Sequence, residues 1–144
     1  MVQEIWQKLN ANERLAAIGA IVVLIAWLVG IVSAYGIGAG TISFLGAIAV
    51  LAIYYLKYAP NQNINWPAPI PTIVLGISAI VALLALLDGL RLLSILSLLS
   101  VTATLAVVGT VVGALIMVWG AWQEYQAMPK TTPPAPPTPP TPPA

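Results

Sequence analysis

Leu15–Leu56 reads LAAIGAIVVLIAWLVGIVSAYGIGAGTISFLGAIAVLAIYYL, 42 residues without an Asp, Glu, Lys or Arg. A helix needs about 20 apolar residues at 1.5 Å rise to cross a hydrocarbon core of roughly 30 Å. The run is therefore long enough for two membrane-spanning helices and far too long for one. Its break is Tyr35-Gly36-Ile37-Gly38-Ala39-Gly40, where three glycines relax the backbone. The reading predicts helices over about 14–34 and 41–58, joined by a tight hairpin. Closely spaced glycines can also cradle a phosphate, but no strand precedes these and no Lys follows them.

The pattern repeats downstream. Tyr58–Leu87 and Leu92–Gln123 are also free of charge. Between the second and third predicted helices lies a loop from Lys57 to Pro71. There Pro60, Pro67, Pro69 and Pro71 alternate with Asn61, Gln62, Asn63 and Asn65, a composition that cannot hold a helix. The third helix is expected over about 70–90, with Pro71 tolerated in its first turn. Asp88-Gly89-Leu90-Arg91 marks the next charged boundary. The last run is longer than one perpendicular crossing needs, and Ser94, Ser97 and Ser100 recur near its start. A short turn followed by a fourth helix over about 100–123 is the favoured assignment, a long tilted helix the alternative.

Two short segments flank this four-span domain of residues 13–128. Residues 1–12 place Val2, Ile5, Trp6 and Leu9 on one helical side and Gln3, Glu4, Gln7 and Lys8 on the other. Such a segment can lie at the headgroup level or extend as a solvated helix. Asn10 with Glu13 three residues on resembles a capping box, with Asn12 as a competing cap. Residues 129–144 are almost only Pro, Thr and Ala. They favour polyproline II, bury nothing, and are expected to form a disordered tail that acts as a spacer or a PxxP ligand. Val32-Ser33-Ala34 has the form of a signal-peptidase site, but the preceding apolar stretch is too long, so a retained first span is expected. The expected fold class is thus an all-α membrane protein: a four-transmembrane-helix bundle with an N-terminal amphipathic segment and a disordered Pro-rich tail.

Composition agrees. The chain has 60% hydrophobic and 6% charged residues, a mean hydropathy of +0.96 and a net charge of +1. A soluble domain carries about 25% charged residues. The weak net charge offers no electrostatic footprint for nucleic acid. Zero Cys and zero His remove thiolate and imidazole ligands and the commonest general base. No cofactor is expected.

Lys and Arg in short loops favour the cytoplasmic side. Lys8, Arg14, Lys57 and Lys130 fall on one side and only Arg91 on the other, which predicts both termini in the cytoplasm and a place in the cytoplasmic (inner) membrane. Trp6, Tyr54, Tyr55, Tyr58, Trp66, Trp119, Trp122 and Tyr125 group on the same side, as membrane-interface anchors do. No charge lies near the middle of a span, so the usual parts of an ion pathway are missing. Asp88 and Arg91, three apart, are expected to form an interfacial ion pair; Glu124 is expected to be solvated. Trp27, alone among aliphatic residues at mid-depth, is assigned to packing or lipid contact ahead of lining a ligand cavity.

Helix packing is better marked. Gly109 with Gly113, Ala85 with Gly89, and Ala16 with Ala20 are small residues four apart, which let helices approach closely. Packing within one chain is favoured over a homo-oligomer, which the same motifs also permit. Ser100, Thr104 and Thr110 are candidates for hydrogen bonds between helices.

The opening Asn10-Ala11-Asn12-Glu13-Arg14-Leu15-Ala16-Ala17-Ile18-Gly19-Ala20, the Pro-bearing loop at 60–71 and the Leu-Leu-Asp-Gly-Leu-Arg-Leu-Leu segment at 86–93 resemble small, uncharacterised four-helix bacterial integral membrane proteins. The resemblance spans roughly residues 10–122 and implies location and architecture, with no active residues to carry over. The expected function is that of a non-enzymatic scaffold, accessory subunit or partner-binding protein, its partners the lipid bilayer and a protein met through helix faces or the tail. The alternative is a small transporter or channel component for apolar solutes or lipids.

Overall fold

The computed structural model describes residues 2–32, 40–60, 63–128 and 137–143. It contains a short helix α1 (Val2–Lys8) and four long ones, α2 (Ala11–Val32), α3 (Thr41–Tyr58), α4 (Ile70–Leu93) and α5 (Val101–Ala127). No strand occurs among the described residues. Each long helix is long and apolar enough to cross a membrane. The glycine hairpin up to Ala39, Ser33-Ala34 of the cleavage-like site, Asn61-Gln62 of the loop, and tail residues 129–136 and 144 lie outside the described residues. Residues 137–143 carry no regular structure.

Helix boundaries follow local chemistry. Asn10 caps α2: its side-chain oxygen accepts from Glu13 N–H at 2.8 Å, and the Glu13 carboxylate accepts from Asn10 N–H at 3.1 Å. This reciprocal box starts the helix at Ala11, three residues before the expected position 14. Gly40, at φ 82°, takes the left-handed conformation that a side chain disfavours, just before α3. Ala59 and Met128 both turn extended at the ends of α3 and α5, because each precedes a proline whose ring excludes the helical region. α5 thus runs to Ala127, past the expected 123, and its 27 residues span about 40 Å.

α4 continues to Leu93, and one 3-10 turn at Leu96–Leu98 separates it from α5. Ser100 is the N-cap of α5, its hydroxyl accepting from Ala103 N–H at 3.2 Å. Ser100→Ala will cost about 1 kcal/mol, measured as a lower midpoint of denaturant unfolding in detergent. Thr104 and Thr110 do not bond between helices. Their hydroxyls donate to Ser100 O and Ala106 O, one turn back in their own helix, at 3.1 and 2.8 Å.

The long helices pack in a ring, each against the next, with α5 closing on α2. Glu13, Tyr54, Pro71 and Glu124 meet at one end; Gly30, Gly40, Gly89 and Ala103 meet at the other. This is an up-down-up-down arrangement. The first group marks the proximal end, which holds α1 and the end of α5; the second marks the distal end.

The α2–α5 seam is the tightest. A Cβ on Gly113 would lie 2.9 Å from Gly19 O and from Val23 N; one on Gly120 would lie 2.5 Å from Ala16 N. Ala16 and Ala20 are fully buried beside them. Gly109 approaches Ala26, and Gly89 on α4 faces Val111 of α5, with Ala85 buried one turn away. Small residues here let backbones touch, while large aliphatics such as Ile25, Leu45, Ile80, Leu83, Leu90 and Leu105 point outward. That inversion of size suits a lipid-facing surface better than an aqueous one.

Candidate functional site

Charged and polar side chains gather at the proximal end. α1 folds back against α3, burying Ile5 and Leu9. Arg14 holds it there, donating from Nε to Trp6 O at 3.1 Å and from Nη2 to Gln7 O at 3.2 Å, so that the last carbonyls of α1 have partners. Asn10, in the turn between α1 and α2, reaches α5: its Nδ2 donates to both carboxylate oxygens of Glu124, at 3.0 and 2.9 Å. Asn12 adds a longer contact to the same carboxylate, 3.5 Å. Glu124 is thus half-buried and bonded, in contrast to the solvated position expected for it.

Glu13 is the centre of this cluster. Its side chain is 0% exposed, and one carboxylate oxygen forms an ion pair with Lys57. The other accepts from the Tyr58 hydroxyl at 2.6 Å and from Asn10 N–H. Lys57 also lies 5.0 Å from the centroid of the Tyr58 ring. The carboxylate therefore joins the start of α2 to the end of α3, and through Asn10 to the end of α5. Three donors already bond it, two of them on one oxygen, so its charge is spent on holding neighbouring elements together. Such a group acts as a clamp.

Beside the clamp, Glu13, Glu124 and Tyr54 line a small void with Ile70, Pro71 and Val74. Tyr54 is 3% exposed, and its hydroxyl has no hydrogen-bond partner among the described residues. It differs in this from the interface anchor expected of it. The other proximal aromatics divide into two groups. Trp6, Tyr58 and Trp66 pack against the core, whereas Tyr55, Trp119, Trp122 and Tyr125 face outward, Trp122 and Tyr125 stacked at 6.0 Å.

The distal end is different in kind. A half-open cavity of about 60 Å³ lies among α2, α4 and α5, lined by Ala26, Trp27, Ala85, Ala106, Val107 and Asp88, among others. Trp27 is fixed by stacking on Phe44 at 3.9 Å and 21°. The expected packing role and the cavity-lining role therefore coexist in one side chain. Asp88 lies 3.9 Å from Arg91, with side chains 39% and 81% exposed. Among the described residues no group of three metal-ligating side chains occurs.

Sequence reading placed Asp88 in an interfacial ion pair and Glu124 in solvent, and the structure sets the two at opposite ends. It missed the Glu13–Lys57–Tyr58 cluster. The signal was available: in an up-down bundle, a Glu opening one helix and a Lys ending the next must share an end. No known protein family, no curated protein and no solved structure matches the chain.

Proposed function

We infer that this chain is a multi-pass protein of the cytoplasmic membrane, with both termini in the cytoplasm, that serves as a non-enzymatic scaffold, accessory subunit or partner-binding protein. The observation that carries this reading is the use made of its charged groups. Glu13, Lys57, Glu124 and Arg14 all bond within the protein, tying α1, α2, α3 and α5 into one fixed end. Together with the α2–α5 backbone contact, this supports a rigid framework that presents outward faces and a tail, and gives little support to an ion path or a reaction centre. Purification from native membranes in mild detergent, followed by mass spectrometry, will return a defined stoichiometric partner, and removal of residues 129–144 will weaken its retention. Solute flux in liposomes by the purified chain alone would overturn the reading.

The second reading, an apolar-solute or lipid carrier, is favoured by one observation, the apolar distal cavity. Its signature is that same flux, lost when the cavity is filled.

A further inference from the structure

We propose that the distal cavity is a binding site for a single-chain amphiphile with a protonated amine head, its alkyl chain in the hollow and its ammonium group on Asp88. Ala26, Ala85, Ala103, Ala106 and Val107 give the cavity an apolar wall, and the rigidly stacked Trp27 supplies a flat ring. Alanine and glycine at these positions create the hollow, because each leaves unfilled the volume a larger side chain would take. At about 60 Å³ its enclosed part takes the segment of one alkyl chain nearest the head, and the rest of the chain extends through the open side.

Among the described residues, the polar side chains of the lining, apart from the Trp27 indole, are Asp88 and Thr110. Thr110 has committed its hydrogen to Ala106 O, and the Asp88 carboxylate has no hydrogen to give. Both therefore offer acceptor lone pairs, so the matching head is a donor. Arg91 does not line the cavity; it stands 3.9 Å from Asp88, mostly in solvent, and leaves the carboxylate incompletely neutralised. A charged donor such as an ammonium group gains most from a carboxylate at the mouth of an apolar site. Occupancy is all the proposal requires, so it stands apart from both readings of function above.

The test is calorimetric titration of decylammonium and decanoate, matched in chain length and opposite in charge, into the full chain in phosphatidylcholine nanodiscs, with empty nanodiscs subtracted. Saturable decylammonium binding about tenfold or more tighter than decanoate is expected. Asp88→Asn will bring the two within about threefold of each other, about 0.7 kcal/mol. Ala106→Phe will abolish the saturable site for both; Leu99→Trp, at a partly buried lining position, serves the same purpose if Ala106→Phe lowers the helical content. Absence of a saturable site, a cation preference that survives Asp88→Asn, or unchanged binding when the hollow is filled would overturn the proposal.

Discussion

Gly19→Ala will destabilise the folded bundle by about 3 kcal/mol, whereas Gly76→Ala will stabilise it by about 0.5–1 kcal/mol. The two changes are chemically identical and both fall inside helices, so only their surroundings separate them. A Cβ at Gly19 would meet the Met117 backbone nitrogen, with Gly113 O at 2.6 Å and Met117 Cα at 2.7 Å. Those are backbone atoms of α5 and cannot rotate aside. Relief requires the helices to part, which also separates Gly113 from Val23 and Gly120 from Ala16. A Cβ at Gly76 has nothing within 4 Å, so there the helix gains only the reduced backbone freedom of alanine. Unfolding of the purified protein in mixed micelles, followed by circular dichroism, reads both signs in one assay. Equal effects at the two positions would show that α2 and α5 do not meet along this seam.

The second large effect is at Glu13. Glu13→Ala leaves Lys57, the Tyr58 hydroxyl and Asn10 N–H without their acceptor, and will cost about 3–5 kcal/mol, as breaking one side of a buried pair does. A fully apolar replacement behaves differently. Glu13→Leu with Lys57→Met removes the unpaired ammonium, so the double variant will be more stable than the sum of its single changes by about 2 kcal/mol. Additive effects in that cycle would mean that the two side chains do not pair. Glu124→Gln will cost less than Glu13→Ala, because its partners come from Asn10 and Asn12 in a half-exposed position.

The number and rough limits of the long helices were legible because they depend on composition along one dimension: charge-free runs, with prolines, glycines and charged residues between them. The capping box at Asn10 was legible for the same reason, since its partners are three residues apart. The clamp was less so. Glu13 meets Lys57 across 44 residues, and Glu124 meets Asn10 across 114, distances at which spacing carries no face information. Small-residue spacing pointed to Gly109, Gly113, Ala16 and Ala20, all on the seam that formed. It did not reveal Gly19 and Gly120, because which side of a uniformly apolar helix turns inward is decided by its neighbours. Tyr54 and Tyr55 show the same limit: adjacent and chemically alike, one is buried beside two carboxylates and the other faces outward.

In the proposed arrangement, a four-helix bundle crosses the membrane with its clamped end in the cytoplasm. The chain has no cysteine, so one introduced thiol is a unique reporter. Gln3, Asn65 and Ser97 are exposed, the first two at or near the proximal end and the third in the distal turn. Single cysteines at these positions, treated with a membrane-impermeant maleimide on intact cells, will give labelling at position 97 and none at 3 or 65 until the cells are opened. Labelling of position 65 from outside, or protection of position 97, would contradict the account.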